Sequence, residues 1–225
     1  MAEIFDEWSE KYDQWFETPI GRLVREYESR LFLAMARPLE GESILDAGCG
    51  TGVFTMDFLE CGSRVTGLEL SLPMLRRAGK KAAGRPFRMV QGDIRNLPFA
   101  DESFDKTVSV TAIEFIEDAR EGVAELLRVT RPGGLVVVAS LNSLSPWAVR
   151  RKAAAQQGHA IFEHARFRSP AEMGGLLPLP CSVGTAIHFQ KHDDPERAME
   201  IEQAGEVRGL DTGAFIVARW EKPRA

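Results

Sequence analysis

Asp46, Glu69 and Asp93 each close a short apolar run, and a strand–helix alternation between them would bring all three to one edge. The first opens the run Asp46-Ala47-Gly48-Cys49-Gly50-Thr51-Gly52. Glycine has no Cβ, so the backbone there can approach a ligand closely. A helix starting just after it would aim its N-terminal amides at whatever is bound. A dinucleotide turn reads G-x-G-x-x-G; counted from Gly48, its third glycine would fall on Val53. The pattern here is D-x-G-x-G-x-G. A carboxylate at Asp46 is a poor neighbour for a pyrophosphate and a good one for an ammonium or sulfonium. Glu69, about twenty residues further on, can accept hydrogen bonds from both hydroxyls of a ribose, and its charge would repel a 2′-phosphate. Asp93 can accept from the exocyclic amine of a base, with Ile94 over the ring face.

A fourth apolar run ends at Thr111, which would lie under the reacting centre, with Glu114 and Phe115 opening the next turn beside it. Two further segments could recognise a second ligand. Phe5, Trp8, Tyr12, Trp15 and Phe16 recur at helical spacing and share one face. Such a stripe packs, and it can also close as a lid. Residues 145–170 hold Arg150, Arg151, Lys152, His159, His164, Arg166 and Arg168 against a single acid, Glu163. That local reversal of sign in an acidic chain suggests a pocket for an anionic small molecule. Arg166 would serve as a bidentate clamp and His164 as a base.

The elements that must position these groups alternate. Strand patterns fall at 43–46, 64–68, 87–91, 104–110 and 135–141. Helix patterns fall at 53–60, 73–83 and 118–130. This rhythm predicts a parallel sheet covered on both faces, with right-handed crossovers. Arg131-Pro132-Gly133-Gly134 reads as a sharp turn into the fifth strand. Helical patterns at 4–16 and from Ile20 to Met35 precede the sheet. Two more strand-like runs, 183–189 and 214–220, flank an acidic helical piece at 193–203.

The chain's 225 residues suffice for one full core. Its net charge of −5 argues against a nucleic-acid or anionic-membrane partner. No apolar stretch is long enough to span a bilayer, and the N-terminus does not read as a signal peptide. Cys49, Cys61 and Cys181 are too widely spaced for a disulfide framework or a metal cluster, so no metal is expected and a cytoplasmic location is. Cys49 suits a cramped turn better than a reactive-thiol role. His188 and His192 show no metal-ligand spacing.

Taken together, Leu45 to Gly52, Val65-Thr66-Gly67-Leu68-Glu69-Leu70-Ser71, Gln91-Gly92-Asp93, Leu97-Pro98-Phe99, Ser103-Phe104-Asp105 and Arg131-Pro132-Gly133-Gly134 resemble the class I S-adenosylmethionine-dependent methyltransferases. The likeness is to the ubiquinone/menaquinone-biosynthesis group and covers residues 43–141. It implies an α/β, Rossmann-like, seven-stranded, mostly parallel sheet with helices on both faces and an antiparallel last strand. It also implies S-adenosylmethionine as cofactor. Asp46, Gly48 and Gly50 would line its methionine end and Glu69 would bind the ribose, with Cys49, Gly52 and Leu70 also expected to contact the cofactor. Asp93 and Ile94 would hold the adenine, Thr111 would lie below, and Tyr12 would lie above. Trp15, Glu114 and Arg166 are candidate acceptor contacts. The expected organisation is one methyltransferase domain over 1–225, with a helical lid at 1–38 and an inserted recognition segment at 142–182. The expected partner is a small-molecule methyl acceptor, and the chain is expected to be a monomer or homodimer. A catalytically silent S-adenosylmethionine-binding protein is the alternative, and the Val53 mismatch counts against an oxidoreductase.

Overall fold

The computed structural model describes residues 13–224; Tyr12 and the aromatic residues before it lie outside them. The first full helix, α1 (Pro19–Ala36), starts where Thr18 accepts a hydrogen bond from Gly21 N at 3.0 Å. Pro19 suits a first turn that needs no donor. Arg37, left-handed at φ 48°, ends the helix.

Seven strands follow: β1 (Ser43–Ala47), β2 (Arg64–Glu69), β3 (Phe87–Gln91), β4 (Phe104–Val110), β5 (Thr130–Leu141), β6 (Cys181–Ala186) and β7 (Phe215–Glu221). They form one sheet in the order β3-β2-β1-β4-β5-β7-β6. Only β7 runs against its neighbours β5 and β6. The expected seven-stranded sheet with an antiparallel last strand is the observed one. Between β1 and β4 the strand order reverses, and ligands of such sheets bind at that switch point, beyond the C-terminal strand ends.

Helices α2 (Val53–Glu60), α3 (Leu72–Lys81) and α4 (Ala119–Val129) lie between the strands. A 3-10 turn, Ile113–Phe115, precedes α4. The alternation of side chains along a strand builds two cores. Ile44, Val137 and Val217 face α1 and α2, while Leu45, Val136 and Val138 face α4. Phe32 of α1 meets Phe54 and Phe58 of α2 edge-on, at 5.9 and 5.8 Å between centroids. Burying a ring of this kind stabilises by about 2–3 kcal/mol, which fixes α1 against the sheet.

Beyond β5 come α5 (Pro146–Gln156), α6 (Ala160–Glu163) and α7 (Pro170–Gly174), then α8 (Pro195–Val207) before β7. Side-chain caps from Ser145, Ser169 and Asp194 open α5, α7 and α8. The segment folds back over the C-terminal strand ends. Ser143 N donates to Arg168 O at 2.9 Å, and Arg166 N to Glu114 O at 2.8 Å.

Two expectations need correction. The run from Arg131 to Gly134 is part of β5, not a turn before it. Gly133 takes φ 77° and donates to Lys222 O, so β7's tail extends the pairing. A Cβ on Gly134 would stand 2.4 Å from Asp105 O, so only glycine lets β5 pass this close to β4. The sixth strand ends at Ala186 rather than 189, because Ile187 turns left-handed at φ 69°. Among the described residues no helix is long and apolar enough to cross a membrane.

Candidate functional site

The glycine loop leaves β1 with most of its amides already used. Gly48 N and Cys49 N both donate to Leu68 O, at 2.7 and 3.1 Å, and Gly52 N donates to Cys49 O at 2.9 Å. Gly50 N donates to Glu69 Oε2 at 3.0 Å. A phosphate seated here would have to compete with these bonds, so the loop suits a ligand without one. The three glycines also have different duties. A Cβ on Gly48 would meet Ala112 Cβ at 2.4 Å, and one on Gly52 would meet Ala78 at 3.0 Å. Gly50, at φ 53°, would put a Cβ into space whose nearest neighbour is Met74 S at 4.0 Å. Gly50 therefore has open space beside it, while Gly48 and Gly52 are closely packed against Ala112 and Ala78. No side chain caps α2, so its first-turn amides suit a ligand's carboxylate.

The three strand-end carboxylates lie on one edge, on adjacent strands. Asp46 pairs with Gly67 of β2, and Glu69 pairs with Gln91 of β3. Glu69 grips the loop and the next helix together, its Oε1 accepting from Ser71 N at 2.9 Å. Leu70 beside it is 42% exposed, a free apolar face for a flat ring. Asp93 sits after β3 in a bidentate pair with Arg95, and hydrogen bonds from that guanidinium hold its carboxyl below the usual range. Ile94 is buried in the α4 core. Asp46 is buried too, and Thr55 Oγ1 donates to its Oδ2 at 2.6 Å. Burial pushes its carboxyl up to about 7, against the lowering effect of the Thr55 bond; Glu69 and Asp57 raise it further. Cys49 is buried, and its thiol is raised well above its usual range by burial, then by Asp46 and Glu69. That suits the small-residue reading and not a reactive thiol.

Asp13, next to Tyr12, closes this side. Thr51 Oγ1 donates to Asp13 Oδ1 at 2.7 Å, Lys81 Nζ reaches the same oxygen at 2.8 Å, and Arg77 is 3.6 Å from the other. Asp13, the first described residue, is thereby tied directly to the glycine loop. Tyr12 itself lies outside the described residues.

On the other side of the loop stands the exit of β4. Thr111 adopts φ 47°, a conformation that a β-branched residue rarely takes, and donates to Ala139 O at 3.0 Å. Three residues on, Glu114 is fully buried. Its Oε2 accepts from Ser140 Oγ at 3.3 Å, while Oε1 has no hydrogen-bond partner among the described residues. Burial pushes its carboxyl up to about 7, against the backbone, Ser140, Arg168 and Arg151.

Glu28 of α1 and Arg151 of α5 join Glu114 in one electrostatic cluster. Sequence reasoning passed over Glu28 and left Arg151 unsorted within a basic run. The signal for Glu28 was a charged residue inside an apolar stripe, one turn from Val24 and Phe32. Trp15 lies near Trp147, 6.4 Å between centroids with the rings tilted at 57°, and Arg151 lies over the Trp147 ring. Arg166 is exposed and turns its Nη1 to Glu117 O, and His164 is exposed at the end of α6. Neither side chain enters the buried cluster. Arg168 reaches inward instead, its Nη1 3.4 Å from Ile113 O. Among the described residues no group of three or more His, Cys, Asp or Glu could hold a metal.

Residues 45–138 match the family model described as "Methyltransferase domain". The chain is 38% identical over 141 residues to the malonyl-[acyl-carrier protein] O-methyltransferase of Pectobacterium atrosepticum, covering 63% of this chain and 53% of that one. It is 38% identical over 113 residues to the demethylmenaquinone methyltransferase of Desulfitobacterium hafniense, covering 47% of this chain and 44% of that one. The chain thus spans about half the length of the curated relatives it matches. A solved structure from Thermotoga maritima, described as an S-adenosylmethionine-dependent methyltransferase and possible histamine N-methyltransferase, superposes with TM-score 0.75 at 26% identity. That match covers 99% of this chain and all of that one.

Proposed function

We propose, from the premise that this chain belongs to the class I methyltransferases of the ubiquinone/menaquinone-like group, that it moves a methyl group from S-adenosylmethionine to a small molecule bearing a negative group. The observation that carries the donor half is the loop itself. Its glycine amides are committed to protein oxygens, and three carboxylates line the strand ends. That chemistry favours a cationic, phosphate-free nucleoside over a pyrophosphate coenzyme.

When bound, S-adenosylmethionine supplies a methyl group already activated on a sulfonium. Glu69 orients the ribose, Gly50 admits the ligand to the loop, and the first turn of α2 receives the amino-acid carboxylate. Asp93 and Leu70 border the adenine. Asp13 ties the start of the described chain to the loop. Fixing donor and acceptor in line supplies several kcal/mol of the barrier reduction.

The negative group on the acceptor is supported by the inward-pointing guanidinia of Arg151 and Arg168 beyond β4 and β5. The relatives named as malonyl-[acyl-carrier protein] O-methyltransferases are in keeping with it. The test is transfer of label from methyl-labelled S-adenosylmethionine, with the purified chain given a pool of small metabolites or a pool of nucleic acid. Label should appear in the small-molecule pool and depend on Glu69. Label confined to nucleic acid, or none from a chain that binds the donor, would refute the proposal.

A further inference from the structure

The cluster beyond β4 contains more charge than the protein pairs. Glu114 is fully buried with Oε1 unpartnered, and Arg151 Nη1 is likewise buried and unpartnered. Glu28 is 7% exposed. The three sense one another electrostatically, yet Arg151 stands beyond the 4.0 Å ion-pair distance from both acids. Burying charges without direct pairing costs several kcal/mol per group. A fold keeps such an arrangement where a ligand's own charges complete it. The cluster also lies in the right place. Ala112, two residues before Glu114, packs against Gly48 of the donor loop, and the Arg151 guanidinium lies over the Trp147 ring.

We propose that Glu28, Glu114 and Arg151 are the acceptor's seat, and that the acceptor is a small zwitterion, with an amino group between the two carboxylates and a carboxylate on Arg151. This rests on the methyl-transfer reading and sharpens its acceptor. Two acids and one guanidinium in electrostatic contact complement a molecule that has a cation at one end and an anion at the other. An amine is protonated in water and cannot attack until it loses a proton. Glu114 Oε1 takes one ammonium proton and exposes the nitrogen lone pair. The N–C bond then forms as the C–S bond breaks, leaving its electron pair on sulfur. The product departs as a methylated ammonium, and Glu114 returns its proton to solvent. Its affinity near neutrality, set chiefly by burial, suits both the uptake and the release. Ser140, which donates to Oε2, leaves Oε1 as the oxygen that acts.

The experiment is calorimetric titration of the intact chain, saturated with S-adenosylhomocysteine, with unbranched ω-amino acids from glycine to aminohexanoate. Each is compared with the alkyl carboxylate and the alkylamine of equal length. One chain length should bind at least about tenfold more tightly than either single-charge counterpart. Arg151→Met and Glu28→Gln should each weaken it by about tenfold or more, while affinity for S-adenosylhomocysteine, which reports correct folding, stays unchanged. If no zwitterion binds, if a single-charge counterpart binds equally well, or if both folded variants bind like the parent, the seat is misassigned. Failure of S-adenosylhomocysteine itself to bind would instead overturn the methyl-transfer reading beneath it.

Discussion

The two sides of the switch point treat their carboxylates in opposite ways. On the donor side each acid has a protein partner. Asp46 holds the Thr55 hydroxyl, Glu69 takes the amides of Gly50 and Ser71, and Asp93 is clamped by Arg95. On the proposed acceptor side Glu28 and Glu114 are buried, and Glu114 Oε1 and Arg151 Nη1 are left unmatched. The donor half is finished before its ligand arrives, as suits one cofactor bound the same way in every turnover. The proposed acceptor half leaves Glu114 Oε1 and Arg151 Nη1 unmatched, as suits a site whose ligand would bring the missing partners.

Gly48 and Ala112 touch where the halves meet, and disturbing that contact has the largest expected effect. Gly48→Ala adds a Cβ at 2.4 Å from Ala112 Cβ with the backbone at φ 77°. Overpacking and the left-handed backbone together should cost about 4 kcal/mol, read from the urea midpoint. A loss under about 1 kcal/mol would mean that the halves are not in contact.

Glu114→Gln tests the unmatched carboxylate. The folded pKa of about 7 lies above the ordinary 4.5, so the folded chain binds more protons than the unfolded one between those values. Stability from the neutral acid is complete below about pH 4.5 and is lost as pH rises through about 7. The variant should therefore match the parent near pH 4 and exceed it by at most about 3 kcal/mol near pH 8. An equal difference at both pH values would place Glu114 in a solvated setting.

Thr55→Val tests the opposite case, by making a donor-side acid resemble the acceptor-side ones. Asp46 would lose its hydroxyl partner while staying buried, at a cost of about 2 kcal/mol in denaturant midpoint. No change would mean that the Thr55 bond contributes nothing. Gly50→Ala should have the smallest effect on stability, about 1 kcal/mol from its left-handed backbone. It should nevertheless weaken binding of S-adenosylhomocysteine; unchanged binding would move the ligand away from Gly50.

The donor half was legible because its information is local. Asp46, Glu69 and Asp93 end strand patterns, and the sheet topology alone brings strand ends together. The division of labour among Gly48, Gly50 and Gly52 was not legible, since it depends on Ala112 and Ala78 from distant segments. Nor was the use of the loop's amides, which go to Leu68 and Glu69. On the acceptor side the basic run at 145–170 was visible, but its orientation was not. Arg151 turns inward over Trp147, while Arg166 and His164 stay at the surface. Glu28 looked like one more charge on a helix, because only the packing of α1 against the sheet buries it. The turn at Arg131 to Gly134 was misread for a similar reason. Proline and glycine signal a break locally, yet pairing with Lys222 draws them into β5.

The central claim is that the strand-end acids receive a cationic sulfur nucleoside, and calorimetry with S-adenosylmethionine, S-adenosylhomocysteine and NAD on the parent and Glu69→Ala tests it most directly. Both sulfur nucleosides should bind the parent, NAD should not, and the variant should lose about 2–4 kcal/mol of affinity as the ribose loses its charge-assisted bonds. Binding of NAD without either sulfur compound, or undiminished binding by Glu69→Ala, would contradict the account.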